Sequence, residues 1–125
     1  MTVGDGPLTI NDVVAVARHG ARVVISTAAV ARMTQTRAVI DGLADDVEPH
    51  YGVSTGFGAL ATRHIPLELR TQLQRSLVRS HAAGSGAEVE REVVRGLMVL
   101  RLATLATGRT GIRPVVAQKI GRAHV

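Results

Sequence analysis

Glu88-Val89-Glu90-Arg91-Glu92-Val93-Val94-Arg95-Gly96-Leu97-Met98-Val99-Leu100-Arg101-Leu102-Ala103-Thr104-Leu105-Ala106-Thr107 is the stretch that decides the fold class. Its length and freedom from proline predict one helix over about 88 to 107, stopped by Gly108, with Thr110 capping a next helix that begins near Ile112 and is soon cut off. Val93, Val94, Leu97, Met98, Leu100, Leu102 and Leu105 cover more than one narrow stripe of that helix. A helix so apolar around its surface needs neighbours on several sides. The other elements legible in the chain are too few to supply them, so a mainly α architecture that is part of a larger helical core is expected.

Upstream, Pro66 opens a helix in its first turn, with Leu69, Leu73 and Leu77 on one face and Arg70, Gln74 and Arg75 around the other. That helix runs into a loop of small residues from Ser80 to Gly86. Near the start, Leu8-Thr9-Ile10 reads as a short extended piece, Asn11 as an N-cap and residues 12 to 19 as a short helix ended by Gly20. Val23-Val24-Ile25 is a second extended piece, suited by its β-branching to a strand. Ser26 then caps a helix from Thr27 to about Leu43, with Val30, Met33, Thr34, Arg37 and Ile40 at helical spacing and Arg32 and Gln35 towards solvent. Asp45 to Pro49 ends it, and no regular structure is evident from His50 to about Ile65. A loop of that length within a compact domain is usually functional or disordered.

Composition narrows the classes. The 125 residues are 46% hydrophobic, which fits a globular chain with a moderate core and excludes disorder. There is no cysteine, hence no disulfide framework and no thiolate metal site, which agrees with a cytoplasmic location. Met1 to Pro7 has neither the basic nor the apolar region of a secretory signal. The plainly apolar runs, such as Val13 to Ala17, fall far short of the roughly 20 residues that span a bilayer, so no membrane partner is expected. The net charge of +5 raises the question of nucleic acid, but the arginines are spread along the chain without interleaved aromatics, so none is expected. Fourteen of the fifteen basic residues are arginine; the exception, Lys119, opens a tail through Val125 whose last six residues look like a translated sequencing-library adapter. The expected division is therefore a natural segment over 1–118 and a tail over 119–125.

The only tyrosine and the only phenylalanine both fall in Tyr51-Gly52-Val53-Ser54-Thr55-Gly56-Phe57-Gly58. Such dense glycine admits positive φ or close backbone approach, and either an ordered surface turn or a functional loop accounts for it. A phenol, with its ordinary pKa of about 10, acts as a base once positive charge or amide donors lower it. A glycine-bordered loop would let Tyr51 close over a substrate. Elsewhere, Gly84-Ser85-Gly86 lacks both the third glycine of a dinucleotide fingerprint and the Gly-Lys-Ser/Thr of a P-loop. His19, His50, His64 and His81 show no ligand spacing, so no metal site is expected. Ser80 beside His81 does not make a triad, because adjacent side chains rarely point at each other and no nucleophile elbow surrounds them. Taken alone, His81 reads as a helix C-terminal histidine satisfied by nearby carbonyls.

Three segments together carry more. Tyr51 to Gly58, Leu73-Gln74-Arg75-Ser76-Leu77-Val78-Arg79-Ser80-His81-Ala82-Ala83-Gly84-Ser85-Gly86, and Thr107-Gly108-Arg109-Thr110-Gly111-Ile112-Arg113 resemble, in order and spacing, the N-terminal part of the histidine ammonia-lyases, within the aromatic amino-acid ammonia-lyase family. The resemblance covers nearly everything from Leu8 to about Gln118. It implies the N-terminal segment of a larger helical-bundle ammonia-lyase fold, carrying a long glycine-rich loop and short extended pieces. It implies an enzyme that eliminates ammonia from L-histidine to give trans-urocanate in histidine catabolism, as a homotetramer and without an external cofactor. In that family an internal Ala-Ser-Gly cyclises to a 4-methylidene-imidazol-5-one that captures the substrate amine. By the same resemblance Tyr51 matches the loop tyrosine proposed as base, His81 with Ser80 matches the contact to the substrate ring, and Gly52, Gly56, Phe57 and Gly58 support the loop. Ser54 departs from the usual asparagine of the histidine-specific members. The alternatives are another aromatic amino-acid ammonia-lyase or aminomutase of the family, or a non-catalytic helical binding module.

No Ala-Ser-Gly occurs in the 125 residues. The chain alone is therefore expected to be inactive, and a rise in urocanate absorbance on incubating it with L-histidine would refute that.

Overall fold

The computed structural model describes residues 1–123. In chain order the elements are β1 (Thr2–Val3), α1 (Ile10–Ala17), β2 (Val24–Ile25), α2 (Thr27–Asp45), a 3-10 turn (Gly58–Leu60), α3 (Leu67–His81), α4 (Arg91–Ala106) and α5 (Pro114–Arg122). The architecture is mainly α, as the apolar stretch predicts. The chain divides into two compact units, one of residues 1–39 with those from Glu88 onward, the other Ile40–Ala87. It passes from the first to the second within α2. Among the described residues no helix is long and apolar enough to cross a membrane.

In the first unit α4 is central. Val99, Leu102, Leu105 and Ala106 lie on its buried face and pack with Val16 of α1, Ala29 and Met33 of α2, Ala117 of α5 and Val3 of β1. Burying a leucine such as Leu102 fully contributes roughly 1.5–3 kcal/mol. Val93, Val94, Leu97 and Leu100, on the remaining surface of α4, are exposed. The helix thus has the excess of apolar surface that its sequence foretells, and one face of it is covered. Buried Arg95 donates from Nε to the Val16 carbonyl at 3.0 Å, tying α4 to α1.

Several boundaries differ from the sequence expectation, each for a local reason. The N-cap of α1 is Thr9 rather than Asn11: the Thr9 hydroxyl accepts from the Asp12 amide, and the Asp12 carboxylate accepts from the Thr9 amide at 2.9 Å and hydroxyl at 2.7 Å. This reciprocal box satisfies helix-end donors that Asn11, now inside the first turn, would leave open. The Thr9 hydroxyl, then its amide, hold the Asp12 carboxyl below its ordinary range. Ile10 is helical as a result, and the first extended segment is Thr2–Val3 instead of Leu8 to Ile10. Strand β1 pairs in parallel with β2, in the register Thr2 to Val24 and Val3 to Ile25. Ser26 caps α2 as expected, its hydroxyl accepting from the Ala29 amide at 3.1 Å. Arg32 is exposed, yet its guanidinium donates to the Gly4 carbonyl at 2.7 Å and the Ala106 carbonyl at 3.3 Å, so it is an anchor and not merely a solvated side chain. Helix α4 starts at Arg91 after an extended Glu90. Helix α5 starts at Pro114, the residue whose missing N–H costs nothing at a first turn, and continues through Lys119 to Arg122. Residues 124 and 125 of the expected tail lie outside the described residues.

Gly108 closes α4 with φ +76°, and a Cβ there would stand 2.6 Å from Arg32 Cβ and 3.1 Å from the Arg32 carbonyl carbon. Backbone cannot yield as a flexible side-chain end does. Gly108→Ala is expected to destabilise the chain by about 1–3 kcal/mol, from strain at positive φ alone. Urea unfolding would show a lower midpoint at unchanged slope; an unshifted midpoint would refute the constraint.

Candidate functional site

The second unit contains both sequence-marked segments, the Tyr51 loop and the C-terminal end of α3. The loop is more ordered than the sequence foretells. Thr55 and His64 form an isolated antiparallel bridge, with the Gly56 amide on the Arg63 carbonyl at 3.0 Å and the Ile65 amide on the Ser54 carbonyl at 2.9 Å. The 3-10 turn Gly58–Leu60 lies between these arms. Arg70 of α3 donates from Nε to the Ile65 carbonyl at 3.0 Å and from Nη1 to the Ala44 carbonyl at the end of α2. One guanidinium thereby links α3 to both flanks of the loop.

Hydroxyl groups hold the tip. Ser54 is fully buried; its Oγ accepts the His50 amide at 2.9 Å and donates to the Glu48 carbonyl at 3.4 Å. Thr55 is 2% exposed; its Oγ1 accepts the Gly52 amide at 3.3 Å and donates to the Gly56 carbonyl at 3.0 Å. The Ser54 and Val53 amides both reach the His50 carbonyl at 3.0 Å. One turn back, Asp46 accepts the His50 ring Nε2 at 2.8 Å on one carboxylate oxygen and the Glu48 amide at 3.1 Å on the other. The His50 hydrogen bond first, and then the Glu48 amide, keep the Asp46 carboxyl below its ordinary value of 3.8.

Tyr51 stands on this frame 67% exposed, its ring edge-on to Phe57 with centroids 6.0 Å apart and planes at 70°. Such a T-shaped pair is favoured by the aromatic quadrupoles. The glycines marked by sequence each have a place. Gly52 and Gly58 take φ of +75° and +56°, and a Cβ on Gly56 would stand 2.7 Å from the Leu60 carbonyl oxygen. Gly56 is thus where the 3-10 turn folds back on the loop.

Ser80 and His81 end α3, both exposed. His81 Nδ1 lies 2.9 Å from the Leu77 carbonyl, the carbonyl satisfaction expected of a helix C-terminal histidine. A carbonyl only accepts, so Nδ1 carries the proton, and in the neutral imidazole Nε2 is the acceptor. Contrary to expectation, the adjacent side chains do meet: Ser80 Oγ is 3.1 Å from His81 Nδ1 and donates to the same Leu77 carbonyl at 2.8 Å. Convergence on one carbonyl of the preceding turn makes this possible. Tyr51 and His81 do not hydrogen-bond each other. Sequence reasoning missed Asp46, His50 and Thr55; the spacing Asp46 to His50, one helical turn, was the available signal. Among the described residues no group of three or more His, Asp or Glu is placed to hold a metal ion.

The aromatic amino acid lyase family model matches residues 8–123, and the chain belongs to that family. Over 118 residues it is 64% identical to the histidine ammonia-lyase of Streptomyces griseus, covering 94% of this chain and 23% of that one. Among solved structures, a tyrosine aminomutase from Streptomyces globisporus matches with TM-score 0.92 at 31% identity, over 99% of this chain and 24% of that one. The histidine ammonia-lyase from Trypanosoma cruzi matches with TM-score 0.84 at 36% identity, over 98% and 24%. The chain spans about a quarter of the length of these relatives. The family's methylidene-imidazolone does not fit the residues present, since the chain has no Ala-Ser-Gly from which to form it.

The Asp46 shift has a defined sign. A carboxyl whose folded value lies below its unfolded one stabilises fully above the unfolded value and loses that contribution as pH falls through the folded one. Acid below about 3.8 should therefore weaken the Asp46 clamp, and Asp46→Asn should flatten that acid limb in a pH series of unfolding midpoints. An acid limb identical in the variant would count against the clamp.

Proposed function

We propose that this chain is the N-terminal part of a histidine ammonia-lyase, acting on L-histidine to give trans-urocanate and ammonia within a homotetramer. The supporting observation is 64% identity to the Streptomyces griseus histidine ammonia-lyase across 94% of the chain. The likeness to tyrosine aminomutase supports the shared backbone, at half that identity, and favours no second substrate.

In this reading Tyr51, exposed on a loop held at its base, is the base that takes the β-proton of the substrate. His81, with its Nδ1 proton committed to the Leu77 carbonyl, offers Nε2 as acceptor to an N–H of the substrate imidazole, and Ser80 fixes the ring's setting through the same carbonyl. The electrophile that captures the amine in this family belongs to no residue of this chain, and no step here passes through it.

The test is a chimera in which this chain replaces the matching segment of the Streptomyces griseus enzyme. Urocanate should form from L-histidine, and Tyr51→Phe should lower kcat by about 10²–10⁴, the usual worth of a positioned general base. A soluble chimera that leaves L-histidine intact, or a Tyr51→Phe variant with undiminished kcat, would overturn the reading.

A further inference from the structure

We propose that the buried hydroxyls of Ser54 and Thr55 are the positioning groups for Tyr51, Ser54 holding the His50 amide one peptide ahead of it and Thr55 the Gly52 amide in the peptide that follows it. The proposal rests on the reading of Tyr51 as the base and adds how that base is aimed.

The geometry is paired. The amide of the residue before Tyr51, His50, ends on Ser54 Oγ at 2.9 Å, and the amide of the residue after it, Gly52, ends on Thr55 Oγ1 at 3.3 Å. Each hydroxyl then spends its own proton on a carbonyl, that of Glu48 for Ser54 and that of Gly56 for Thr55. Both residues are almost wholly buried while Tyr51 is exposed. Buried hydroxyls with donor and acceptor both used have no room to rotate, because rotation would leave buried polar groups unpaired. With the His50 carbonyl, in the peptide just before Tyr51, also taking the Val53 and Ser54 amides, the backbone around the tyrosine is fixed while the phenol remains free to meet a substrate. The Asp46 carboxylate extends the clamp by holding the His50 ring and the Glu48 amide from the end of α2. Ser54, where the sequence departs from the asparagine usual in the histidine-specific members it resembles, is thus buried and has its proton committed to the loop's own backbone.

Thr55 allows shape to be separated from hydrogen bonding. Thr55→Val keeps the volume and removes the hydroxyl; Thr55→Ser keeps the hydroxyl and removes the methyl. In the chimera, Thr55→Val is expected to lower kcat by about tenfold to a hundredfold, the scale of a small misplacement of a reacting group, with KM little changed. Thr55→Ser should retain most of kcat, and Ser54→Ala should follow Thr55→Val. In a Tyr51→Phe background the same substitutions should have no further effect on kcat, since they act through the phenol. Equal losses from Thr55→Val and Thr55→Ser, or losses that persist undiminished without the phenol, would overturn the proposal.

A second readout needs no activity. Tyr51 is the only tyrosine and there is no tryptophan, so the intrinsic fluorescence of the 125-residue chain reports Tyr51 alone. Its time-resolved anisotropy should gain a fast component in Thr55→Val and not in Thr55→Ser, with circular dichroism verifying that each variant is folded. Identical decays in the two variants would overturn the proposal even where the chimera is active. A chimera inactive on L-histidine combined with the expected anisotropy change would sink the assignment of function and leave the clamp standing. Should Ser54→Ala fail to fold, the Thr55 pair decides the outcome.

Discussion

The first unit depends on burial of one face of α4. Val99, Leu102, Leu105 and Ala106 repeat at helical spacing with almost no surface left to solvent, and the partners that cover them come from α1, α2, α5 and β1. Removing that face from water is non-directional and would tolerate many arrangements. Directional bonds choose among them. Arg95 reaches the end of α1, Arg32 bridges the carbonyls of Gly4 and Ala106, and Thr36 donates to the carbonyl of Gly108. These bonds take up carbonyls at helix and strand ends, where backbone groups otherwise lack partners.

The second unit is held differently. Helix α3 has no buried residue; its Leu69 is exposed, and Leu73 and Leu77 are only partly covered. Its order comes from polar closure: the Thr55–His64 bridge, the Arg70 guanidinium and the two loop hydroxyls. Polar closure is geometrically strict, because an unmade bond at a buried group costs the full desolvation of that group. Such strictness fixes the backbone around Tyr51 more narrowly than apolar packing would. The same economy shows at His81, where one carbonyl receives both the ring N–H and the Ser80 hydroxyl, and so fixes which ring nitrogen carries the proton.

Much of the helical plan was legible because it rests on local rules. Gly108 at the end of α4, Ser26 at the start of α2 and Pro66 before α3 each mark a boundary through backbone chemistry that any context would respect. The misses are instructive for the same reason. Thr9 and Asn11 are both competent N-caps, and the choice fell to Thr9 because Asp12 stands three residues on and returns the bond. Arg32 reads as a solvated side chain until two distant carbonyls are brought beneath it.

By itself the sequence determined that the chain is mainly helical, that α4 carries more apolar surface than its own neighbours can cover, and that the chain belongs to the aromatic amino acid lyase family. Periodicity, capping and motif order are properties of the chain read along its length, so they need no coordinates. Only the tertiary structure decided what holds Tyr51. The serine at 54 and the threonine at 55 are common loop residues in sequence, and it is burial, with each hydroxyl both accepting an amide and donating to a carbonyl, that turns them into a clamp. That burial comes from the loop folding back on itself through the Thr55–His64 bridge, a closure that no short sequence pattern encodes.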